Sequence, residues 1–301
     1  MTPPRNRLNR YLIGALIRWG QHLPDRTYVE LMFWLKMGRR LNLDKPTLFN
    51  DKIQWIKLYD HNPNYPIYAD KYAVKEFVEK KIGKEFIIPT LGVWDSIEEI
   101  DWDNLPNQFV IKTTFGGGGD GVVICKDKSQ ISIEEIKDKL LRGSKVDLYK
   151  RYKEWVYKDI PKRFIAEQYM QNGQDAVLTD YKFSCFNGNV HDVMVCLDRS
   201  GIDTKFYFFD RDWNLLRINK MGKEAPADFT VEKPTCMDEM FELAAKLSEG
   251  ITYARVDLYS INNHPYFGEI TLLPNSGYGR NFLLETERLY GDLMQLPPKT
   301  K

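Results

Sequence analysis

The segment TFGGGGDG at residues 114–121 constrains the fold of this chain more than any other stretch. Its letters Gly116-x-Gly118-x-x-Gly121 spell the dinucleotide fingerprint, which must lie between a strand and a helix so that the helix N-terminus receives the pyrophosphate. Here QFVIKTT precedes the glycines and VVICKD follows them, and both runs are short and rich in β-branched residues. The segment is therefore predicted to be the loop of a β-hairpin. It carries no GK[ST] motif, so it is not a Walker A loop.

A glycine loop of this kind can bring bare backbone N–H groups against a phosphate. Four consecutive glycines cost chain entropy, which favours a ligand-binding role over a plain flexible hairpin. Lys112 lies just before the loop and would place its ammonium group beside the phosphate oxygens. We therefore predict a flap at residues 116–121 that closes over a triphosphate.

A second constellation lies far downstream, in ARVDLYSINNHPYFGEITLLP. This stretch predicts a hairpin with NNHP as its turn, so that Asp257 and Glu269 fall on its two arms. Strand alternation places Arg255, Asp257 and Tyr259 on one face. Two converging carboxylates suit Mg²⁺, with phosphate oxygens completing the octahedron. The alternative is a salt-bridge ladder between Arg255 and Glu269, and the neighbouring phosphate flap favours the metal site over it.

The composition excludes several classes of function. Lys and Arg number 43 and Asp and Glu 42, so a net charge of +1 gives no global basic excess for a nucleic-acid partner. The four cysteines at positions 125, 185, 196 and 236 are scattered and form no CxxC pair, which argues against a zinc site and fits thiols in a reducing cytoplasm.

The N-terminal segment is basic, with arginines at positions 5, 7, 10 and 18 and no acid among its first 24 residues. Its apolar run YLIGALI is too short to span a bilayer. One face of the predicted helix carries Tyr11, Leu12, Ala15, Leu16 and Trp19. The pattern suits a helix lying on an anionic membrane surface and also a helix docked on the protein's own core, and the pattern alone favours the second.

Several motifs occur in the order expected of an ATP-grasp fold: FVIKTTFGGGGDGVVI, AEQYM, DYKF, RVDLY and GEITLLP. More narrowly, FNDKIQWIKLYDHNP followed by ADKYAVKEFV resembles the TupA-like ATP-grasp group, over about residues 45–290. The resemblance implies an α+β fold of two lobes that clasp ATP. The helical pattern of residues 1–62 departs from the usual βαβ front lobe. The expected units are this helical region, a linker helix and strand at 63–106, a lobe with the flap at 107–170 and a lobe with the metal site at 171–296.

The resemblance also implies roles for single residues. Lys71 and Lys112 look like the two nucleotide lysines, and Glu167, Gln168 and Tyr169 look like the hinge strand that receives adenine. Asp180 resembles the position that binds ribose or supports the phosphates. The implied nucleotide-binding residues are Lys71, Lys112, Thr114, Gly116, Gly117, Gly118, Gly119, Gly121, Glu167, Gln168, Tyr169, Asp180 and Lys182. The implied catalytic residues are Lys112, Lys182, which would face the transferred phosphoryl, and Arg255.

Asp257 and Glu269 resemble the metal carboxylates of the group. Related ligases commonly carry Asn two residues after the second acid, where this chain has Thr271. Either Thr271 or Asn275 would therefore complete the metal site. The following segment, NSGYGRN, is a candidate acceptor loop through Asn275, Ser276, Tyr278 and Arg280, and its alternative is a plain glycine-rich connection.

The implied function is an ATP- and Mg²⁺-dependent carboxylate–amine ligase that forms an amide through an acyl phosphate. The group recurs in cell-surface polysaccharide (capsule-type) gene clusters, so the partners would be a carbohydrate carboxylate or amine and an amino acid or amine. The expected location is the cytoplasm, with peripheral contact of the N-terminal basic helix on the inner membrane face left open.

Two other classes of function stay open from the sequence. The same phosphate site could serve a kinase that phosphorylates a sugar hydroxyl. A glycosyltransferase, or a non-catalytic nucleotide-binding partner in polysaccharide assembly, is the other class. The DxD spelling of such a transferase occurs at Asp101–Asp103 and Asp210–Asp212, where solvated acids in turns are the favoured interpretation.

Overall fold

A computed structural model describes residues 7–117, 119, 121–173, 178–197 and 204–300. Gly118 of the predicted nucleotide-binding set lies outside the described residues, as does Asp120 of the flap. Within the described part, two antiparallel sheets of four and six strands carry helices on their outer faces, and a helical region leads into them. This arrangement agrees with the α+β prediction.

The N-terminal region is helical, as its sequence predicts. Its helices are α1 (Arg7–Trp19), α2 (Asp25–Met37), α3 (Phe49–Tyr59), α4 (Tyr65–Ala69) and α5 (Ala73–Ile82). Only residues 60–64 separate α3 from α4, because α4 already begins at Tyr65. Gly83 ends α5 with a φ of 119°, a conformation that glycine adopts more readily than other residues.

The four-stranded sheet carries the predicted flap hairpin. Its strands are β1 (Thr90–Trp94), β2 (Phe109–Thr113), β3 (Val122–Cys125) and β4 (Phe164–Gln168), in the order β1-β4-β2-β3. Phe109 pairs with Cys125 and Lys112 with Val122, which confirms that the glycines join two strands. Between β3 and β4 run α6 (Ile133–Ser144) and α7 (Leu148–Tyr152). Leu140 of α6 packs on Ile111 of β2 within the buried core of this sheet.

The six-stranded sheet carries the predicted acidic hairpin. Its strands are β5 (Asp180–Phe186), β6 (Asn189–Leu197), β7 (Lys205–Phe209), β8 (Leu215–Leu216), β9 (Tyr253–Ile261) and β10 (His264–Thr271), in the order β10-β9-β5-β6-β7-β8. The turn of β9–β10 is Asn262-Asn263, both with positive φ, so it is two residues shorter than the predicted NNHP. The helices that follow the first four strands are α8 (Lys220–Glu224), α9 (Met237–Ser248) and, near the C-terminus, α10 (Leu284–Leu293).

The helical region supports the segment that follows β10. On α3, Gln54 Nε2 donates to the carbonyl oxygens of Ser276 and Gly277, both at 2.9 Å. Lys57 Nζ donates to the Ser276 carbonyl at 2.7 Å. Asn50 binds the Glu287 carboxylate of α10 through its backbone N–H at 3.0 Å. The front of the chain therefore holds the loop that leaves the acidic hairpin.

The predicted apolar face of α1 is divided in the structure. Leu16 packs on the buried cluster formed by α2 and α7, together with Ile13 and Ile17. Tyr11 and Trp19, which we expected on the same face as Leu16, are exposed. The face of α1 that packs on the protein is therefore rotated from the predicted face. It carries Asn9, Ile13 and Leu16 and meets α2. In the described part of the chain, none of the helices is long and apolar enough to cross a membrane.

Candidate active site

The flap sheet holds a cluster of lysines around one carboxylate. Glu167 on β4 is buried, and its two oxygens accept from Lys75 at 2.6 Å and Lys112 at 2.5 Å. Burial would raise the pKa of Glu167, but Lys112 and Lys75 outweigh it and hold that pKa below its usual range. The hinge acid expected to meet adenine is thus bound to two ammonium groups.

Lys71, one of the two predicted nucleotide lysines, is bonded to the base of the flap. Its Nζ donates to the Gly116 carbonyl at 2.6 Å, and its backbone N–H donates to the Thr114 carbonyl at 2.8 Å. Thr114 is fully buried, and its own N–H donates to the Arg163 carbonyl at 2.9 Å. Burial lowers the pKa of Lys71. Thr114 therefore anchors the flap through its backbone, while Lys71 stands beside the glycines.

Three of the described flap glycines adopt backbone conformations that favour glycine. Gly116, Gly119 and Gly121 have φ values of 86°, 81° and 75°, in the left-handed region. The Gly121 carbonyl accepts from the Thr113 N–H at 3.1 Å, which closes the loop on β2. A Cβ added at Gly117 would meet only distant atoms, at 3.9 Å or more. The loop is therefore fixed at its ends, and there is open space at Gly117 for a ligand.

The acidic hairpin carries the second half of the site. In the strand register Asp257 of β9 lies opposite Glu269 of β10 on one side and Lys182 of β5 on the other. An extra residue, Gly268, interrupts the β9–β10 ladder just before Glu269 and re-aims that side chain. A Cβ at Gly268 would lie 3.0 Å from the Asp257 carbonyl oxygen, so the close approach requires glycine.

Arg255 binds all three predicted metal ligands. Its Nε and Nη2 donate to the two oxygens of Asp257, each at 2.7 Å. Nη2 also lies 3.1 Å from Glu269 Oε1 and 3.1 Å from Thr271 Oγ1. The expected salt bridge of Arg255 with Glu269 is thus present within a larger network. The predicted convergence of Arg255, Asp257 and Glu269 on one face is observed.

Lys182 sits between two carboxylates of the same sheet. Its Nζ contacts Asp257 and lies 3.3 Å from Asp180 Oδ2. Burial acts to lower the pKa of Lys182, but Asp257 outweighs it and the pKa rises. Both Asp180 and Asp257 are buried, with 1% and 2% of their surface exposed. The ammonium is therefore held, charged, at the centre of the acidic cluster.

The two clusters act on each other electrostatically. Burial would raise the pKa of Glu269, but Arg255, then Lys71, Lys182 and Lys112, lower it to about 2. Two of these lysines belong to the flap side, so the cationic and acidic clusters lie near each other, and the space between them is here called the cleft.

The oxygen ligands at the acidic hairpin fit Mg²⁺ by their chemistry. Asp257, Glu269 and the Thr271 hydroxyl are hard donors, and Thr271 Oγ1 lies 3.3 Å from Glu269 Oε1. Among the described residues, no group of three or more His, Cys, Asp or Glu side chains is arranged to hold a metal ion by itself. Mg²⁺ commonly takes one or two carboxylates and completes its shell with phosphates and water, which matches this smaller set. Asn275 lies at the start of the following loop, with its side chain near Gly279.

The hinge residues after Glu167 lie at the end of β4. Gln168 is exposed, and its backbone N–H donates to the Pro89 carbonyl at 2.9 Å. Tyr169 follows it and is half-buried.

The candidate acceptor loop is partly buried, contrary to expectation. Ser276 donates to the buried Glu154 carboxylate, and Tyr278 packs among Phe33 and Tyr152. Neither side chain is open to a substrate, because α3 and the segment after α7 cover them. Asn275 and Arg280 are exposed.

Two residues near the cleft escaped the sequence analysis. Lys75 lies on α5 and binds Glu167, and the sequence signal for it is weak because Lys71 precedes the first turn of that helix. Tyr157 has its hydroxyl 3.9 Å from a Cβ built on Gly117, which places it under the flap. Burial raises the pKa of Tyr157, with Glu154 and Glu269 adding to the rise. No sequence signal indicates Tyr157, because it comes from a short 3₁₀ turn outside every motif.

The two DxD spellings are turn residues. Asp101 accepts from the Asn104 side chain at 2.6 Å, and Asp210 accepts from the Asn214 side chain at 3.0 Å. Such local bonds are typical of Asp in turns and agree with the interpretation as solvated acids.

Solved structures that resemble this chain are ATP-grasp enzymes. The D-alanine–D-alanine ligase of Bacillus anthracis with ATP shares 19% identity at a TM-score of 0.43, over 75% of this chain and 63% of that one. The N5-carboxyaminoimidazole synthetase of Staphylococcus aureus with ADP shares 15% identity at 0.42, over 77% and 53%. The D-alanine–D-alanine ligase of Helicobacter pylori shares 14% at 0.45, over 84% and 68%. The chain thus spans less than two thirds of the first two.

A comparison with curated proteins gave no match. A family model described as TupA-like ATPgrasp matches residues 51–295, most of the chain. The match confirms the predicted resemblance, the ATP-grasp fold and ATP as the nucleotide of that fold. The chain belongs to the TupA-like ATP-grasp family.

Proposed function

We propose that this protein is an ATP- and Mg²⁺-dependent carboxylate–amine ligase that forms an amide through an acyl phosphate. One observation carries the proposal: two clusters of opposite net charge face one cleft. On the flap side, Lys71, Lys75 and Lys112 surround the single carboxylate of Glu167. On the other side, Lys182 and Arg255 stand among three carboxylates.

The charge difference assigns a ligand to each side. The flap side has a surplus of positive charge, which suits the phosphates of ATP, and the backbone N–H groups of the flap add to it. The acidic side has a surplus of negative charge, which suits a divalent cation. Asp257 and Glu269, with the Thr271 hydroxyl, would hold Mg²⁺, which supplies charge neutralisation for the phosphate oxygens.

Lys182 and Arg255 supply two cations to this arrangement. Lys182 lies beside Asp257 and would offset the charge of the transferred phosphoryl. Arg255 is held by two parallel bonds to Asp257, so its guanidinium keeps its orientation. In the second step it is the group positioned for the tetrahedral oxyanion.

The proposed reaction has two steps, phosphoryl transfer and then amide formation. A substrate carboxylate oxygen attacks the γ-phosphorus of ATP, the bond from that phosphorus to the β–γ bridging oxygen breaks, and ADP leaves with the bridging oxygen. The amine nitrogen then attacks the acyl carbon, the carbon–oxygen bond to the phosphate breaks, and the leaving phosphate takes the amine proton. Positioning and charge neutralisation by Lys71, Lys112 and Lys182 are the work of the protein.

The flap protects the intermediate in this scheme. Its middle carries no side chain at Gly116, Gly117 or Gly119, so the backbone can close directly on the phosphates. Closure excludes water, which would otherwise hydrolyse the acyl phosphate.

The substrates proposed are a sugar and an amine-bearing partner in cell-surface polysaccharide synthesis. A uronic acid would supply the carboxylate and an amino acid or amino alcohol the amine, or an amino-acid carboxylate would join an amino sugar. Asn275 and Arg280 are the exposed loop residues available to a hydroxyl or carboxylate. A cytoplasmic location belongs to the proposal because the reaction consumes ATP.

The test measures ADP release with Mg²⁺-ATP and a panel of uronic acids, each with and without a mixture of amino acids. ADP release that needs both partners, with a product mass equal to the amide, supports the ligase. Release with a sugar alone, and a product heavier by one phosphate, would show a kinase instead. The Asp257→Asn variant serves as the inactive control, and Asp238→Asn, at an exposed acid of α9, as its matched active control.

A further inference from the structure

The first two helices carry an apolar surface that the proposed ligase reaction does not use. They form an antiparallel hairpin, because Asn9 Nδ2 near the start of α1 donates to the Leu35 carbonyl near the end of α2 at 2.8 Å. At the other end, a Cβ on Gly20 would touch Tyr28. Both helices precede residue 51, where the match to the ATP-grasp family begins. The hairpin is therefore outside the matched segment.

The two sides of α1 differ in their surroundings. Ile13 and Ile17 turn towards the cluster around Tyr28, while no residue of α1 is fully buried. Leu8 and Trp19 point away from that cluster and are 64% and 68% exposed. If α1 only packed on its own protein, large apolar side chains such as Leu8 and Trp19 would be expected to be buried as well.

The second helix extends this exposed surface. Tyr28 and Met32 of α2 are fully buried, whereas Leu31 and Trp34 on the side away from them are 42% and 53% exposed. The outward apolar residues of the hairpin, here called the outer face, are Leu8, Tyr11, Leu12, Trp19, Leu31 and Trp34. Large exposed apolar surface of this kind marks an interaction site in a water-soluble chain.

The charges around the outer face are of one sign. Arg7, Arg10 and Arg18 are all exposed on α1, and the chain has no acid among its first 24 residues. The Arg18 guanidinium lies over the Trp19 ring, 5.2 Å from its centroid. Helical spacing puts Arg7 and Arg18 at one edge of the apolar arc, with Arg10 further round on the polar side of the helix. An apolar face bordered by arginine and carrying Trp is the pattern of a helix that lies in a lipid interface.

The nearby acids of α2 do not cancel this charge. Asp25 lies 3.1 Å from Lys153, and Glu30 lies 2.9 Å from Arg26. A second copy of the chain docked on the outer face by twofold symmetry would bring the arginines of both copies together, which opposes self-association. An anionic lipid surface satisfies the apolar and the cationic requirement at once.

We propose that the outer face docks on an anionic lipid surface, with Trp19 and Leu12 in the headgroup region and the three arginines on lipid phosphates. The contact is independent of the ligase reaction, since none of these residues lies in the cleft. It would keep the enzyme at the membrane and bring the cleft close to acceptors that reside there.

The test is co-sedimentation of the full chain with lipid vesicles. We expect binding to vesicles of equal parts phosphatidylcholine and phosphatidylglycerol, little binding to pure phosphatidylcholine, and weaker binding at high salt. Replacing Arg7, Arg10 and Arg18 together by Gln should reduce the affinity by on the order of a hundredfold, at about fivefold per arginine. The matched control replaces Arg211, Lys220 and Lys223, exposed cations of the large-sheet side, by Gln and should bind like the wild type.

A second pair of variants tests the apolar contribution. Leu12→Ser with Trp19→Ser should abolish binding while circular dichroism and ADP release stay unchanged. Met221→Ser with Leu284→Ser, at apolar residues 38% and 54% exposed elsewhere, is the control that should bind normally. Equal binding to neutral and anionic vesicles, or no binding to either, would overturn the proposal. So would a dimer in solution that the Leu12 and Trp19 variant dissociates.

Discussion

Two β-hairpins border the cleft, and they differ in the turn that joins their strands. The acidic hairpin β9–β10 turns in two asparagines, and its side chains are locked by the Arg255 network. The flap hairpin β2–β3 ends in a long glycine loop, and its stem alone is paired. The comparison indicates that the acidic hairpin is a fixed electrostatic reference, whereas the glycine loop is the part that the proposed reaction requires to close over the ligand.

The stem of the flap hairpin shares the rigidity of the acidic hairpin. Lys112 sits at the last stem pair before the glycines and is tied to Glu167 at 2.5 Å. Its ammonium is therefore positioned before any flap closure. Thr114, which follows the stem, is itself buried and bonded through its backbone, so the fixed part of this hairpin extends to that residue.

The largest effect is expected in the fixed hairpin. Asp257→Asn removes the charge that binds both Arg255 and Lys182, so that Arg255 keeps only Glu269 and Thr271 and Lys182 keeps only the longer contact to Asp180. We expect ADP release to fall by about a thousandfold and the free energy of unfolding by about 3–5 kcal/mol. Steady-state ADP release and urea unfolding measure the two effects.

A milder variant separates metal binding from folding in the same hairpin. Thr271→Val keeps the shape and leaves the Arg255–Asp257 bonds intact. It should raise the Mg²⁺ concentration needed for half-maximal ADP release with little change in stability. An unchanged Mg²⁺ dependence would remove Thr271 from the metal site.

The next effect concerns the flap stem. Lys112→Ala should lower ADP release by about a hundredfold or more, because it removes an ammonium from the phosphate side. Lys75→Ala is the matched control, since Lys75 binds the same Glu167 but is also committed to the Ile88 carbonyl at 2.7 Å. It should cost stability more than turnover. An unchanged rate in Lys112→Ala would refute the phosphate assignment, and equal losses in both variants would make Lys112 a structural partner of Glu167.

A smaller effect is expected from substitutions in the glycine loop of the flap. Gly117 has no positive φ and open space around its Cβ position, so Gly117→Ala should fold normally and weaken ATP binding by about tenfold through contact with the phosphates. Gly121→Ala should instead lower the stability of the fold and leave ATP binding nearly unchanged. Its φ is 75°, and the new Cβ would lie 3.1 Å from Thr113 Oγ1, so the variant should lose about 1–2 kcal/mol of stability. Isothermal titration with an ATP analogue and thermal unfolding compare the two. Identical behaviour of the two variants would contradict a flap fixed at its ends and open in its middle.

The sequence predicts both hairpins because each lies in one continuous stretch with its own alternation and turn residues. It does not predict that Lys182 lies opposite Asp257, since the two residues are 75 positions apart and only the strand order brings them together. The binding of Lys75 to Glu167 likewise depends on how α5 meets the small sheet, and that of Lys112 depends on the pairing of β2 with β4.

The candidate acceptor loop shows that a local sequence pattern can also suggest a contact that the fold does not allow. Polar letters in NSGYGRN suggest substrate contact, but Asn275 and Ser276 adopt φ values of 50° and 55° and direct Ser276 inwards to Glu154. That burial is imposed by α3, far upstream in the sequence. A local pattern therefore identifies a loop but not which of its side chains remain in contact with solvent.

The smallest effect is a pH dependence that distinguishes the two clusters. The pKa of Glu269 is about 2 in the fold against an ordinary value of 4.5, because Arg255 and three lysines outweigh its burial. A depressed carboxyl pKa stabilises the fold above about pH 4.5, and that stabilisation is lost as the pH falls towards 2. Since 41% of the side chain is exposed, solvent screens the pairing and the contribution should be about 1 kcal/mol. Glu269→Gln should therefore lower the free energy of unfolding at pH 7 but not at pH 2, as measured by urea unfolding at both values. Glu242→Gln, at an exposed acid 3.5 Å from Arg211, should change neither. If Glu269→Gln costs the same at both pH values, the acidic hairpin does not use this carboxylate in its charged form, and its role as the fixed electrostatic reference is lost.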